Sequence, residues 1–450
     1  MTTAWPRVSL GDLLTPIWRD EVVDPSKEYR LLGARWYAGG LFLKDVKSGQ
    51  EIRANRLYRV QAGDFVYNRL FAWKGSFALA SDEDDGCCVS NEFPCFEIDH
   101  TRLDGNFLWS YFRRENTWTE ALGLSSGATP TSRNRLKESL FLKMQMSLPP
   151  LSEQQRIVAR IEELAEYCGM ARELRSGAAS EAHALLASAL DAACAGRFHA
   201  RQDMSAEPAR QLLDRVSRTS WPGHVEPRDR RPMPLPAPPK VPDTWVIVEA
   251  GALQECGALL DIQDGNHGGD YPRKAEFAEE GVPFVTAKQI DDGIVRIADA
   301  PRLPSERASR LRIGFARAGD VLLTHNASVG GVAVAPDDAG DFLLGTSVTY
   351  WRCNPKALLN RYLYYFMRSG HFQSQLQFIM KQTTRNQVSV LKQVNLWVCV
   401  PPLEEQRQIV AEMDALQAAV DGLTRLQSET AVELDALLPA ILDRAFKGEM

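Results

Sequence analysis

One string of residues occurs twice in this chain at a fixed distance, and it limits the architectures open to everything else. Pro149-Pro150-Leu151-Ser152-Glu153-Gln154-Gln155-Arg156-Ile157-Val158-Ala159 returns 252 positions later as Pro401-Pro402-Leu403-Glu404-Glu405-Gln406-Arg407-Gln408-Ile409-Val410-Ala411. Each copy opens a stretch of helical period. The same offset relates Leu185-Leu186, Leu190-Asp191, Ala193 and Gly196 to Leu437-Leu438, Leu442-Asp443, Ala445 and Gly448. No insertion or deletion separates the two stretches, although a loop-rich segment would be free to drift in length. Length itself is therefore a property that matters.

Both stretches read as long helices. Proline is tolerated in a first helical turn, and the residue before it stays extended. Apolar positions then follow a heptad at Ile157, Ile161, Leu164, Cys168, Ala171, Ala178, Ala182, Leu185 and Ala189, repeated at Ile409, Met413, Leu416, Val420, Leu423, Leu434, Leu437 and Ile441. Arg175 and Gln427 occupy the same seam position near mid-helix, where polar residues fix register at some cost in stability. A 3.5-residue spacing predicts a left-handed coiled-coil seam. At 1.5 Å per residue, roughly 46 residues make a rod of about 70 Å.

The segments before the helices also repeat. Trp5-Pro6-Arg7-Val8-Ser9-Leu10-Gly11-Asp12-Leu13 is echoed from Trp245 to Leu253, Ala62-Gly63-Asp64 by Ala318-Gly319-Asp320, and Thr131-Ser132-Arg133-Asn134 by Thr383-Thr384-Arg385-Asn386. Their offsets are 240, 256 and 252, so the globules share a scaffold and differ in their loops. Short runs at 29–33, 41–43, 57–60 and 65–67 predict strands, 106–113 predicts a helix, and 136–144 fits helix or strand. The fold class expected is α+β, a tandem duplication with pseudo-twofold character. It comprises a mixed α/β globule over 1–146, a helix over 147–197, a Pro/Arg-rich linker over 198–242, a second globule over 243–399 and a second helix over 400–450. The linker carries nine prolines between Glu207 and Pro242 and reads as a tether without a packed element.

At 450 residues the chain exceeds a single core. The net charge of -6 argues against nucleic acid only at first sight. Residues 400–450 hold four basic against ten acidic side chains, while 1–146 is balanced, so basic faces on the globules are allowed. The eight cysteines show no zinc spacing and read as reduced structural thiols. No signal-like N-terminus or apolar run of about 18 residues is present, which points to the cytoplasm. A GxxxxGK[ST] phosphate loop is absent, as is the Asn/Asp-Pro-Pro-aromatic motif of amino-methyltransferases; Pro149-Pro150 and Pro401-Pro402 follow Leu148 and Val400. A metal centre and a catalytic residue are not expected.

These features together resemble the specificity subunit of type I restriction-modification systems. The resemblance spans the chain and rests on the paired Pro-Pro-Leu-x-Glu-Gln starts, the helix ends Ala193-Cys194-Ala195-Gly196 and Ala445-Phe446-Lys447-Gly448, and Val241-Pro242-Asp243-Thr244-Trp245. Two departures are Cys194, where an aromatic such as Phe446 is usual, and the long linker. The resemblance implies that each globule is a target recognition domain reading half of a split double-stranded DNA sequence. The helices would pair antiparallel as spacer and as docking surface for two methyltransferase subunits, with restriction subunits joining them. It implies no cofactor on this chain, S-adenosylmethionine on the methyltransferase subunits, and ATP and magnesium on the restriction subunits. A coiled-coil scaffold that has lost sequence reading is the alternative.

Side chains suited to base edges then become candidates. In the first globule these are Asn68, Arg69, Trp73 and Lys74, since Arg pairs with guanine and Asn with adenine through two hydrogen bonds. In the second they are Thr324, His325 and Asn326, with Asn266 and His267 in a glycine-rich loop. Arg133, Arg135 and Arg385 stand at equivalent places before the helices, where phosphate positioning is the functional reading and an ion pair with a nearby carboxylate the competing one. For the loops, an ordinary polar turn remains open. Glu153-Gln154 and Glu405-Gln406 lie in first helical turns, where carboxylates favour the helix dipole.

Overall fold

Leu151–Cys194 and Leu403–Phe446 form helices of 44 residues each. The computed structural model describes residues 5–126, 134–197, 207–217, 225, 233–381 and 386–449. It divides into one unit of residues 1–177 with 425–450 and another of 178–424, so each long helix contributes to both. In the first unit Ile157, Val158 and Ile161 share a core with Leu442, Ala445 and Phe446. In the second, Leu190, Ala193 and Cys194 share one with Ile409 and Met413. Within each unit the helix segments therefore run antiparallel.

The repeated motif acquires a specific role through its glutamine. Gln154 is fully buried; its Nε2 donates to the carbonyls of Arg102 (2.8 Å) and Pro149 (2.9 Å), and its Oε1 accepts from the Asp104 N–H at 2.8 Å. Gln406 repeats all three bonds in the other unit, with Ala357 at 2.9 Å, Pro401 at 3.0 Å and the Leu359 N–H at 2.8 Å. An amide alone supplies two donors and an acceptor in one plane, so the latch explains why glutamine follows the glutamate. The glutamates differ: Glu153 pairs with Arg156 at 2.8 Å, while Glu405 accepts from the Trp245 indole at 2.6 Å.

The globular parts are built alike. A two-stranded clasp, Arg7–Ser9 with Gln145–Ser147, leads into the first long helix, and Val246–Glu249 with Trp397–Val400 into the second. A four-stranded sheet follows the same order in each: Leu14–Ile17, Cys95–Ile98, Phe65–Tyr67, Phe77–Leu79 in one, and Leu259–Asp264, Val348–Cys353, Val321–Asn326, Ser328–Val334 in the other. A helix pair covers each, Gly105–Phe112 with Glu115–Leu124 and Asn360–Arg368 with Gly370–Lys381. The repeated Ala-Gly-Asp turn also keeps its partner: Asp64 takes two bonds from Arg19 and Asp320 two from Arg352.

The units part company in a second sheet. Unit one carries five strands in the order Asp20–Val22, Arg56–Arg59, Cys88–Val89, Glu28–Ala34, Leu41–Ser48. Unit two instead has Arg302–Leu303, Val282–Val285, Phe342–Leu344, Phe315–Ala316. Residues 136–144, open between helix and strand, contain the short helix Glu138–Phe141. Among the described residues no helix is long and apolar enough to cross a membrane, and no group of three or more His, Cys, Asp or Glu is placed to hold a metal.

Two expectations need correction. Leu185 and Leu437 do not lie on the seam; they are 61% and 46% exposed, while Leu186 is buried and Leu438 packs on the core. A straight helix turns every 3.6 residues, so a strict heptad written from the first turn drifts off the buried face. The stretch 198–242 is not free of packed structure either. Ala209–Ser217 is a helix that buries Ala209, Leu212, Leu213 and Val216. Their helical spacing precedes most of the prolines, and a composition averaged over the whole stretch hides it.

Candidate nucleic-acid interface

The turn between Phe65–Tyr67 and Phe77–Leu79 is tied by its own polar groups. Asn68 accepts from the Leu70 N–H at 3.0 Å through its side chain, and the Trp73 indole donates to the Leu70 carbonyl at 3.0 Å. Arg69 turns inward. Its side chain is 11% exposed, is ion-paired with Glu138 and donates to the Asn91 carbonyl at 2.5 Å. Burial, reinforced by nearby Arg135, holds its pKa below the usual guanidinium value. Arg135 itself pairs with Glu92 at 3.0 Å and stays 41% exposed.

Lys74 is placed differently. Its Nζ lies 3.7 Å from the centre of the Trp36 ring and 5.0 Å from that of Trp73, with no carboxylate within ion-pair reach among the described residues. Trp36 and Tyr37 are exposed beside it. Their loop is held to the Lys74 turn by Tyr37 N–H to Lys74 O (2.8 Å) and Ala38 N–H to Gly75 O (2.6 Å). Sequence reasoning missed both aromatics. The only local signal was two rings set before Gly39-Gly40 in a stretch with no periodicity.

In the second unit the matching hairpin joins Val321–Asn326 to Ser328–Val334, with Ala327 at φ 65° at its tip. Ala327 N–H donates to the Asn386 carbonyl at 3.0 Å. Beside the tip is a cleft of about 660 Å³ whose lining includes Tyr271, Phe284, Lys288, Asn326, Ser328 and Thr346. Asn326 is partly exposed and His267 exposed, the latter with Nδ1 3.3 Å from the Gly265 carbonyl.

Other candidates are turned inside, which corrects their assignment to base edges. Thr324 is buried and accepts from the Gly331 N–H at 2.8 Å. Asn266 is fully buried and donates to the Ile313 carbonyl at 2.9 Å. His325 is 2% exposed, and neither ring nitrogen has a hydrogen-bond partner among the described residues. Burial pushes its pKa down, with Asp264 opposing. Val321–Asn326 lies between two neighbouring strands and is buried on both faces as far as His325, so the adjacent Thr324 and His325 are enclosed on opposite sides, which residue type alone does not reveal. Arg133 and Arg385 lie outside the described residues.

Arg69 and His325 prove to be equivalent. The Leu136 N–H reaches the Arg69 carbonyl at 3.0 Å, and the Val388 N–H reaches the His325 carbonyl at 2.9 Å. Position 138, glutamate in the first unit, is Val390 in the second. The pair under the turn is thus ionic in one unit and absent in the other.

A family model described as the type I restriction modification DNA specificity domain matches residues 255–434. The specificity subunit of the Escherichia coli type I restriction enzyme EcoBI is 22% identical over 174 residues, 38% of this chain and 36% of that protein. That of MjaVIII from Methanocaldococcus jannaschii is 20% identical over 215 residues, 47% of each chain. The chain thus spans about a third to a half of the length of these curated relatives. Among solved structures, the HsdS subunit from Thermoanaerobacter tengcongensis superposes with TM-score 0.63 at 24% identity, covering 100% of this chain and 98% of that one. A chain from a study of assembly and conformational transition of the type I R-M system gives 0.68 at 24% identity, covering 100% and 99%. These two likenesses extend the shared fold over the whole length.

Proposed function

We propose that this chain, which carries a type I restriction-modification DNA specificity domain and the fold of a specificity subunit, is the sequence-reading subunit of such a complex. Each globule reads one half of a bipartite target, and the two long helices set the spacing and receive two methyltransferase subunits. Restriction subunits complete the assembly. The chain itself performs no bond chemistry in this reading; S-adenosylmethionine belongs to the methyltransferase subunits, ATP and magnesium to the restriction subunits.

The observation that carries the reading is the contrast between what repeats and what does not. The clasp, the four-stranded sheet, the Gln154 and Gln406 latches and the 44-residue helices are duplicated. The second sheets and the surfaces around Lys74 and Asn326 differ. A protein that reads two different half-sites at a fixed spacing needs that combination, because base contacts specify while a constant frame sets position.

The test is co-expression with a type I methyltransferase subunit and mapping of methylated adenines. A split motif with constant spacing is expected. Methylation at no split motif would overturn the reading.

A further inference from the structure

We propose that Trp36 and Tyr37 form an aromatic wedge that enters beside one base step of the half-site read by the first unit, with Lys74 on the neighbouring phosphate. The proposal deepens the DNA-reading function above and rests on it. Trp36 is 44% exposed and Tyr37 67%, large areas for rings that bury readily. Each is braced by a ring, Trp36 by Phe71 at 5.7 Å between ring centres with Lys74 Nζ over its face, and Tyr37 by Trp118 at 5.6 Å.

The backbone beneath them is held in an unfavourable form. Tyr37 and Ala38 have φ of 59° and 50° at the centre of a turn closed by the Gly39 N–H on the Trp36 carbonyl at 3.2 Å, places where glycine, asparagine or aspartate is the usual residue. Such a conformation persists where its surroundings enforce it and clusters at functional sites. Here the enforcing groups are the carbonyls of Lys74 and Gly75, which take the Tyr37 and Ala38 N–H groups. Gly75 is itself left-handed at φ 70°, and a Cβ there would meet the Trp118 ring at 2.4 Å. The cation, its two indoles and the strained tip are therefore one rigid assembly.

Charge selects the occupant. An ammonium held by ring faces, with no carboxylate to neutralise it, suits a polyanion that also offers π-faces to stack on. Protein interfaces share the aromatics but are depleted in lysine. Apolar wedges that unstack a base step are an established way to deform duplex DNA.

The experiment uses the full chain assembled with its methyltransferase subunits and duplexes carrying the methylated motif, with a mismatch moved step by step across and beside each half-site. A mismatch lowers the cost of unstacking, so wild type should bind several-fold tighter when it falls at the wedge step. Trp36→Ala and Tyr37→Ala should bind the matched duplex more weakly and show no favoured step, while Tyr37→Phe keeps both the affinity and the step. A flat mismatch profile for wild type would overturn the wedge. So would alanine variants that keep the profile but lose a partner subunit, which would make the patch a protein interface. A motif that is not split would remove the DNA-reading function and the wedge together; a split motif with a flat profile would remove the wedge alone.

Discussion

Arg175 and Gln427 bond to each other's backbone across the helix pair: the guanidinium donates to the Gln427 carbonyl, and Gln427 Nε2 donates to the Arg175 carbonyl at 3.0 Å. The two positions are separated by the repeat length of 252, so each meets its own counterpart. An antiparallel pair has only one such crossing point, and a slip of either helix would part them. Replacing either side chain by alanine should cost about 1–2 kcal/mol, and because each bond ends on a backbone carbonyl that alanine retains, the two losses should add to within about 0.5 kcal/mol in a double-mutant cycle. Urea denaturation of the two single variants and the double variant checks this; single variants as stable as the parent chain would contradict it.

The latches give a second prediction. Gln154→Ala strips partners from two carbonyls and from the Asp104 N–H, and Gln406→Ala does the same at Leu359. Each substitution should destabilise by about 2–4 kcal/mol, because the orphaned backbone groups stay buried. Hydrogen exchange should quicken at the Asp104 amide in one variant and at the Leu359 amide in the other.

These two features show what was legible in the sequence. Pro149-Pro150 and the glutamine three residues beyond Leu151 are local and appear twice at one offset, so the helix starts, the equal lengths and the Arg175 and Gln427 equivalence could be read directly. The glutamine's purpose could not, because its partners Arg102 and Ala357 are distant in sequence. Leu185 was misplaced because a 3.5-residue template was continued past mid-helix, where the buried face follows Leu186 and Leu190. For the loops, residue type is the only guide that the sequence offers. Asn266, Thr324 and His325 have suitable chemistry but face inward, whereas Trp36 and Tyr37 gain their setting from contacts with the Lys74 turn.

His325 should make stability depend on pH. Burial lowers its folded pKa below the ordinary value of 6.5, so below about pH 6.5 the unfolded chain binds the proton first. Its contribution is complete above that pH and falls as pH drops toward the folded pKa. His325→Leu should flatten this part of the stability profile, measured as urea midpoints between pH 5 and 8. A wild-type midpoint that rises on acidification through that window would contradict the assignment.

Lys74 should act on affinity without selecting sequence. Lys74→Gln should weaken matched and altered duplexes alike and reduce the slope of log K against log salt by about 0.9. Fluorescence anisotropy titrations at several salt concentrations measure both effects. A change confined to one base pair of the motif would mean that Lys74 reads a base.

The central claim is that two globules on one duplicated frame read two independent half-sites. Exchanging residues 243–399 for the matching segment of a type I specificity subunit with a different target, followed by methylome sequencing, tests it most directly. The account predicts a motif in which one half is replaced while the other half and the spacing are unchanged. A motif altered in both halves, or one left wholly unaltered, would contradict it.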